Sequence, residues 1–207
     1  MNELANLSHT EIRQRLLSTI QSTHDVPRQY KNTKMKKAAV LIPFVEQDGE
    51  WHLLFIKRSE HEKDRHSGQV AFAGGRHGET DDSLEMTALR EAHEEIGIDP
   101  KHVTVLGELS HHYSISNYEI TPIVATLSWP YELTLQKTEV AAAFTIPLKW
   151  LADPKNHTLQ TREFEGVNTP VAYFEKYNNY LLWGATARMT LSLLTLLQEK
   201  QVANEVT

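Results

Sequence analysis

Three glutamates crowd into one short segment of the chain, REAHEEIG, which runs from Arg90 to Gly97. Glu91 and Glu95 are four residues apart, so on a helix they lie one turn apart, where two like charges repel each other. A divalent cation reverses that repulsion, and Mg²⁺ prefers a few carboxylates together with water and phosphate oxygens. With Glu94 beside them, the pair suits a magnesium site. For the triplet alone, a solvated acidic helix face is the more common explanation, so the neighbouring sequence has to decide.

The segment that must position these glutamates has the features of one well-delimited helix. Asp82 followed by Glu85 resembles a capping box at its start, and Gly97 suits the left-handed position that closes a helix. At about 100° per residue, four apolar residues share one side and the glutamates occupy the adjoining arc. The apolar residues are Ala88, Leu89, Ala92 and Ile96. The spacing predicts a helix that packs on one face and presents acid beside it.

The surrounding stretch, GGRHGETDDSLEMTALREAHEEIGI (Gly74–Ile98), resembles the signature of the Nudix hydrolases, a glycine loop followed by a helix. The helix of that signature ends in R-E-apolar-x-E-E-x-G-apolar. The matching residues are Arg90, Glu91, Ala92, Glu94, Glu95, Gly97 and Ile98. Upstream the chain departs from the pattern. The common signature has a glutamate six residues after the glycine, and this chain has Asp81 there, followed by Asp82.

A longer stretch, Leu53 to Asp81, resembles the additional signature of the Nudix coenzyme A pyrophosphatases. Three departures are Ala73 in place of proline, Gly78 in place of aspartate, and one extra residue before His66. Later segments match as well, so the resemblance extends from about residue 38 to residue 189. The matching residues of the additional signature are Leu53, Leu54, Arg58, Ser59, His66, Gly68, Gln69, Val70, Ala71, Phe72, Gly74, Gly75 and Asp81.

Metal binding is assigned first to Glu91 and Glu95, because acidification of a water and shielding of phosphate oxygens are what pyrophosphate hydrolysis needs. Glu94 either shares a metal or accepts the proton of the attacking water. The resemblance implies the Gly75 carbonyl as a further ligand, since paired glycines let the main chain approach closely. It also favours Arg90 as a brace for an acid of the loop or helix, against an ordinary surface ion pair.

Five further residues are candidates outside the acidic helix. Glu139 follows a polar loop, and Nudix enzymes often recruit a base from such a loop; a plain strand-edge glutamate is an even alternative. Arg58 has the charge and fork geometry to bind an anionic substrate, and Ser59, His66 and Gln69 supply hydrogen bonds. The resemblance makes these four the coenzyme A signature. For Arg58 an ordinary surface arginine, and for His66 a satisfied loop histidine, stay open as alternatives.

Composition limits the other chemistries. The 207 residues carry a formal net charge of −6, which argues against nucleic acid as a partner. Cysteine is absent, so disulfides, thiolate nucleophiles and cysteine-bound zinc are excluded. The N-terminus lacks an apolar export segment and no later apolar run reaches membrane-span length, so we expect a cytoplasmic protein without membrane contact.

The fold class expected is α/β, and the resemblance specifies a Nudix-type α/β/α sandwich with a mixed central sheet. We expect one domain, 1–207, with an N-terminal helical extension over 1–30 and the signature loop and helix over 74–98. Apolar spacing at Ile12, Leu16, Leu17 and Ile20 predicts a helix from Leu7 to about Thr23. Apolar runs predict a hairpin at 48–49, strands over 102–109, 118–127 and 140–148, a hairpin turning at 178–179, and a C-terminal helix over 185–201 whose apolar stretch is core in preference to a homodimer interface.

The function expected is hydrolysis of the pyrophosphate linkage of coenzyme A or its derivatives, yielding 3′,5′-ADP and 4′-phosphopantetheine with Mg²⁺ or Mn²⁺ as cofactor. Two alternatives stay open. One keeps the fold and changes the substrate to ADP-ribose, a dinucleotide or another nucleoside diphosphate derivative. The other is a Nudix module that senses a nucleotide without cleaving it, against which the intact acidic triplet argues.

Overall fold

A mixed sheet of eight strands forms the centre of the molecule, described by a computed structural model over residues 4, 7–20, 33–62, 66–164 and 167–198. Its strands β1 and β7 run parallel, and all its other pairs are antiparallel. The strands are β1 (Lys36–Gln47), β2 (Glu50–Arg58), β3 (Val70–Ala71), β4 (Gly74–Arg76), β5 (Val103–Glu108), β6 (His112–Tyr113), β7 (Tyr118–Leu127) and β8 (Val140–Pro147). A separate two-stranded sheet comprises β9 (His157–Phe164) and β10 (Val167–Phe174).

The paired glycines of the signature lie in a fork between β1 and β2. These two strands pair only near their shared turn, from Phe44↔Leu53 to Gln47↔Glu50. Further from the turn β2 pairs with β3 instead, and β1 pairs with β4, where Ala39 faces Gly75. The short β3–β4 segment therefore fills the fork and is hydrogen-bonded on both sides, which fixes the main chain of the glycine loop in the sheet.

Helices cover both faces of the sheet. They are α1 (His9–Ile20), α2 (Leu84–Ile96), α3 (Leu148–Leu151) and α4 (Gly184–Gln198). On one face α2 packs small residues, Ala88 and Ala92, against a cluster that includes Leu41 of β1. On the other face α1 and α4 join a cluster around Phe44 and Phe55. The expected α/β/α sandwich, with its N-terminal and C-terminal helices, is confirmed.

The first helix was predicted correctly, but one residue of its predicted buried face is exposed. Ser8 and Glu11 cap α1 through their side chains, so the helix begins at His9, two residues later than predicted. Ile12 and Leu16 are fully buried as expected, but Leu17 is 54% exposed because it lies beyond the edge of that face. The predicted end, residues 21–23, lies outside the described residues.

The acidic helix α2 has a different start cap and the predicted end cap. Ser83, not Asp82, is the N-cap: its side chain accepts a hydrogen bond from the Met86 N–H. The predicted capping box is therefore one residue too early. Gly97 adopts the left-handed conformation, with φ of 73°, and closes the helix as expected.

The end of the chain differs most from the prediction. Strand β9 was not foreseen, and it pairs with β10. The turn at Asn178–Asn179 exists, yet its two arms meet only in the bridges Tyr173↔Trp183 and Tyr177↔Tyr180. The C-terminal helix contributes Leu193 and Leu197 to the core, as the sequence indicated. Among the described helices, none has the length and apolar character needed to cross a membrane.

Candidate active site

Glu95 is the most buried acid of the predicted site. It lies in the last turn of α2, is 3% exposed, and accepts a hydrogen bond of 3.0 Å from the Gly74 N–H. Burial raises the pKa of Glu95 to about 7, a rise to which nearby Glu91 and Glu139 add and which the Gly74 N–H and Arg58 oppose. A carboxylate in this position costs free energy to ionise, and an added cation would lower that cost.

Glu91 lies directly over the second glycine of the fork. A Cβ atom placed on Gly75 would come within 2.5 Å of the Glu91 carboxylate, so a side chain at this position would displace that carboxylate. Burial raises the pKa of Glu91, with repulsion from Glu94 and Glu139 adding to burial and the Arg90 guanidinium opposing it. The glycine pair thus lets two carboxylates of one helix approach the main chain of the sheet.

Arg90 joins the helix to the loop before it. Its Nε and Nη2 atoms donate to the two oxygens of Asp81 at 2.8 and 2.9 Å, and Nη2 also reaches the Arg76 carbonyl at 3.3 Å. The Asp81 side chain is 4% exposed, and its two hydrogen bonds from Arg90, together with one from the Gly78 N–H, hold the pKa of Asp81 well below the ordinary range. The bracing contact expected of Arg90 is therefore present, and its partner is Asp81.

The same guanidinium contacts two acids of the triplet. Arg90 Nη1 lies 3.0 Å from Glu91 and 3.1 Å from Glu94, whose side chain is 57% exposed. Glu91 and Glu94 therefore point toward Arg90, while Glu95 points toward the Gly74 N–H. Within the described ranges, no three histidine, aspartate or glutamate side chains converge on a common point in the manner of a complete metal site.

The loop that carries Glu139 is fastened to both sides of the site. Its backbone N–H groups at Thr134 and Gln136 donate to the carbonyls of residues 96 and 95, at the end of α2. At its other end, the Ser59 N–H donates to the Glu139 carbonyl at 2.8 Å, and the Ser59 hydroxyl donates to the Lys137 carbonyl at 2.9 Å. These bonds bring Glu139 close enough to raise the pKa values of both helix acids described above.

The four residues of the coenzyme A signature divide into two groups. Arg58, at the end of β2, interacts electrostatically with Glu95 and therefore faces the acidic site. Ser59 is engaged with the Glu139 loop, so its hydroxyl proton is already donated within the protein. His66 is exposed and its Nδ1 lies 3.2 Å from Gln69 Oε1 on the loop that precedes β3. The structure thus brings Arg58 and Ser59 to the acids and pairs the other two with each other.

The side chains joined by these contacts carry an excess of negative charge. Five carboxylates and two guanidiniums would leave three uncompensated negative charges if all were ionised. The acids are Asp81, Glu91, Glu94, Glu95 and Glu139, and the bases are Arg58 and Arg90. All the candidate donors are oxygen atoms, which are the ligands of Mg²⁺ and Mn²⁺. The donor set and its charge therefore fit a hard divalent cation.

Two contacts that build the site were not foreseen from the sequence. The Gly74 N–H that holds Glu95 depends on the strand pairing in the fork, which no local pattern encodes. His61, which the sequence did not distinguish from other surface residues, contacts the Thr138 carbonyl through Nε2 and adds to the fastening of the Glu139 loop. The paired glycines indicated a close approach of the main chain but not that Glu95 is the partner of the Gly74 N–H, and nothing in the sequence indicated the second contact.

Comparisons with known proteins agree with this geometry. The family model of the NUDIX domain matches residues 35–166. A curated relative, the "Uncharacterized Nudix hydrolase NudL" of Yersinia pestis (strain Pestoides F), is 41% identical over 159 residues, which are 76% of this chain and 78% of that protein. The namesake from Yersinia pseudotuberculosis serotype O:1b (strain IP 31758) has the same identity and coverage.

A solved structure is similar in fold. The MutT/nudix family protein from Enterococcus faecalis superimposes with a TM-score of 0.52 at 13% identity, over 93% of this chain and 70% of that one. The family model covers well over half of the chain, and the curated relatives cover three quarters of it at high identity. The chain therefore belongs to the Nudix hydrolases and is an enzyme that acts on pyrophosphate anhydrides.

Proposed function

We propose that this Nudix hydrolase cleaves the pyrophosphate linkage of coenzyme A or its derivatives, releasing 3′,5′-ADP and 4′-phosphopantetheine. One observation supports this substrate above the others. In the segment that resembles the coenzyme A signature, Arg58 interacts with Glu95 and Ser59 is hydrogen-bonded to the loop of Glu139. Two residues of the segment that resembles a substrate signature, Arg58 and Ser59, thus adjoin the acidic site, which supports the proposed substrate.

Nudix hydrolases generally require divalent metal ions, and we propose Mg²⁺ or Mn²⁺ for this chain. The residues that would hold the ion are Glu91 and Glu95, with Glu94 and the Gly75 carbonyl as further ligands. A cation at this place would acidify a water and shield the phosphate oxygens. It would compete with Arg90 for Glu91 and Glu94, because both carboxylates now pair with that guanidinium.

The side chains of the protein supply the remaining roles. Glu139 is proposed as the general base, with Glu94 as the second candidate, because both carboxylates lie beside the proposed ligands. Arg90 is a positioning residue, because its hydrogen bonds to Asp81 hold the helix and the loop together.

The residues of the coenzyme A signature are the proposed substrate contacts. Arg58 would neutralise the diphosphate, and Ser59 would position the Glu139 loop in addition to any contact with substrate. His66 and Gln69 stay proposed substrate contacts. A single domain and a cytoplasmic location also stay predictions, and a homodimer stays an open alternative.

A panel of substrates tests this proposal. Purified protein is incubated with Mg²⁺ and, in parallel, with coenzyme A, an acyl derivative, ADP-ribose and a diadenosine polyphosphate, and the products are separated by chromatography. We expect the highest kcat/KM for coenzyme A or its acyl derivative, with 3′,5′-ADP among the products. Preferred cleavage of ADP-ribose or the dinucleotide would contradict the assignment of coenzyme A as the substrate. Tight binding without turnover would contradict the proposed catalytic activity.

A further inference from the structure

A cavity of about 450 Å³ opens beside the signature loop. One wall comprises Lys57 at the end of β2 and residues 67–70, which lead into β3, and the other is the turn that precedes α4. Its lining residues are Lys57, Ser67, Gly68, Gln69, Val70, Lys176, Asn179, Tyr180, Leu181 and Trp183. The cavity therefore joins a proposed substrate contact, Gln69, to the turn that precedes α4.

The charge of the lining is opposite to that of the protein as a whole. Two lysines, Lys57 and Lys176, line the cavity, and none of the lining residues is acidic, although the chain carries a net charge of −6. An acid near the mouth, Glu60, lies 3.7 Å from Lys57 Nζ and is 79% exposed, so water screens this pair. The two ammonium groups leave the cavity with a positive character that favours a phosphate group.

Two aromatic rings also line the cavity, and each is stacked on a ring outside it. Tyr180 stacks on Phe144 with centroids 3.6 Å apart and planes 8° apart. Trp183 stacks on Tyr173 at 5.7 Å and 9°. Rings fixed in this way lose little conformational entropy when a ligand packs against them. Cations beside fixed aromatic rings suit a phosphorylated group that also carries a planar ring.

The cavity adjoins the acidic site through two short connections. Lys57 directly precedes Arg58, which interacts with Glu95. Val70 is four residues before Gly74, whose N–H holds the same glutamate, and four residues span at most about 13 Å. The cavity and the acidic site are thus close enough along the chain for one nucleotide-sized molecule to reach both.

We propose that this cavity binds the phosphomonoester and the purine of a 3′-phosphorylated nucleotide substrate, with Lys57 and Lys176 on the phosphate and Tyr180 and Trp183 beside the ring. This inference rests on the proposed function, because coenzyme A carries such a group next to its diphosphate. Substrate choice would then depend on the turn before α4 as well as on the signature loop.

The test compares coenzyme A with 3′-dephospho-coenzyme A in the wild type and in Lys176→Gln and Lys57→Gln. The wild type is expected to prefer coenzyme A through a lower KM. In each variant the KM for coenzyme A should rise about tenfold, equivalent to about 1.4 kcal/mol, and the ratio of the two kcat/KM values should fall toward one. Lys155→Gln, on an exposed turn outside the cavity, is the matched charge control and should keep the wild-type ratio.

A second measurement separates this inference from the proposed function. Binding of 3′,5′-ADP and of 5′-AMP is measured by calorimetry, which needs no turnover. Tighter binding of 3′,5′-ADP that Lys176→Gln removes supports the cavity even if coenzyme A is not hydrolysed. A wild type that cleaves coenzyme A and its dephospho form equally, with both lysine variants unchanged, overturns the cavity and leaves the proposed function standing. Equal loss on both substrates also overturns it, since the lysines then serve a group that both share.

Discussion

Two carboxylates of this site have opposite pKa shifts, and the difference depends on whether the Arg90 guanidinium donates to them. Asp81 receives two hydrogen bonds from Arg90, which stabilise its charged form and lower its pKa. Glu95 is buried with a single amide donor, Gly74 N–H, so its pKa rises to about 7. Asp81 is therefore a structural anion, whereas Glu95 is an acid whose ionisation a bound cation would favour.

The types of these residues were predictable and their environments were not. The spacing of Glu91, Glu94 and Glu95 identified the acids, because carboxylates one turn apart on a helix point to a cation. Whether an acid on that helix is buried depends on what packs over it. Glu95 is buried because the fork between β1 and β2 places Gly74 against the last turn of α2, a long-range contact that helical periodicity does not encode.

Substitution of Arg90 by lysine tests the brace. Lysine keeps the charge and loses the fork that donates to both oxygens of Asp81, so we expect the free energy of unfolding at pH 7 to fall by about 1–3 kcal/mol. The pKa of Asp81 is lower in the folded state, so its stabilising contribution is present above its ordinary pKa of 3.8 and is lost as the pH falls below that value. The difference between the two proteins in urea unfolding should therefore shrink below about pH 4.

The control for this experiment is Arg76→Lys, which changes an exposed arginine of β4. It should unfold at nearly the wild-type urea concentration. Equal stability of Arg90→Lys and the wild type at pH 7 would show that the contacts between Arg90 and Asp81 do not stabilise the fold.

Among the secondary-structure elements, helix α2 and the loop over 128–139 form one unit. The loop is bonded to the last two residues of the helix, and Gly97 lies directly beneath it. A Cβ atom on Gly97 would approach the Thr134 Cβ atom to 2.9 Å and its N atom to 3.0 Å. The glycine thus has two functions: it closes the helix, and it leaves room for the loop that carries Glu139.

Gly97→Ala should therefore lower the free energy of unfolding by more than backbone strain alone would. Alanine in the left-handed region costs about 1–2 kcal/mol, and contact with Thr134 adds to that cost and displaces the loop. Gly49→Ala is the matched control, because Gly49 has a similar φ of 75° and an added Cβ atom there would meet nothing within 4 Å. We expect a larger loss of unfolding free energy and a lower kcat for Gly97→Ala only. Equal losses and equal kcat values would mean that the loop does not depend on this contact.

Sequence patterns predicted the elements that carry one apolar face and failed for the element that does not. The N-terminal, acidic and C-terminal helices were recognised because their buried residues recur at helical spacing. Strand β9, HTLQTREF, has no continuous apolar alternation and pairs only with β10 in a separate sheet. The cap of α2 was misplaced by one residue because Asp82 and Ser83 are both good capping residues, and only the backbone decides between them.

At the scale of the whole molecule, a partly buried histidine of β6 lies close enough to α4 to interact with Arg188, and folding favours its neutral form. His112 of β6 pairs with Ile120 of β7. Burial lowers the pKa of His112 to about 4, and repulsion from Arg188 of α4 adds to the effect. Its neighbour His111 instead contacts Glu119 at 2.8 Å. The stability of this side of the molecule is thus linked to pH.

His112→Gln should flatten the pH dependence of stability on the acid side. The unfolded histidine binds a proton near pH 6.5 and the folded one near 4, so the wild type loses stability as the pH falls from 6.5 toward 4, by about 1.4 kcal/mol for each unit of pKa difference. Glutamine has no such proton to bind. Unfolding by urea at pH 7.5, 6, 5 and 4.5 measures the slope, and parallel curves for the two proteins would show that His112 is not the source of the loss.

In the proposed mechanism, catalysis depends on carboxylates of α2, Glu95 above all, that hold a divalent cation against a diphosphate. The decisive experiment is Mg²⁺-dependent turnover of the preferred substrate by Glu95→Gln, with Glu85→Gln, an exposed acid in the first turn of the same helix, as the control. The amide can still accept the hydrogen bond from Gly74, so the fold should persist, as circular dichroism and the melting temperature will show. We expect kcat to fall by at least about 100-fold for Glu95→Gln and to be retained by Glu85→Gln. A fully active Glu95→Gln protein with unchanged dependence on Mg²⁺ would refute the metal assignment.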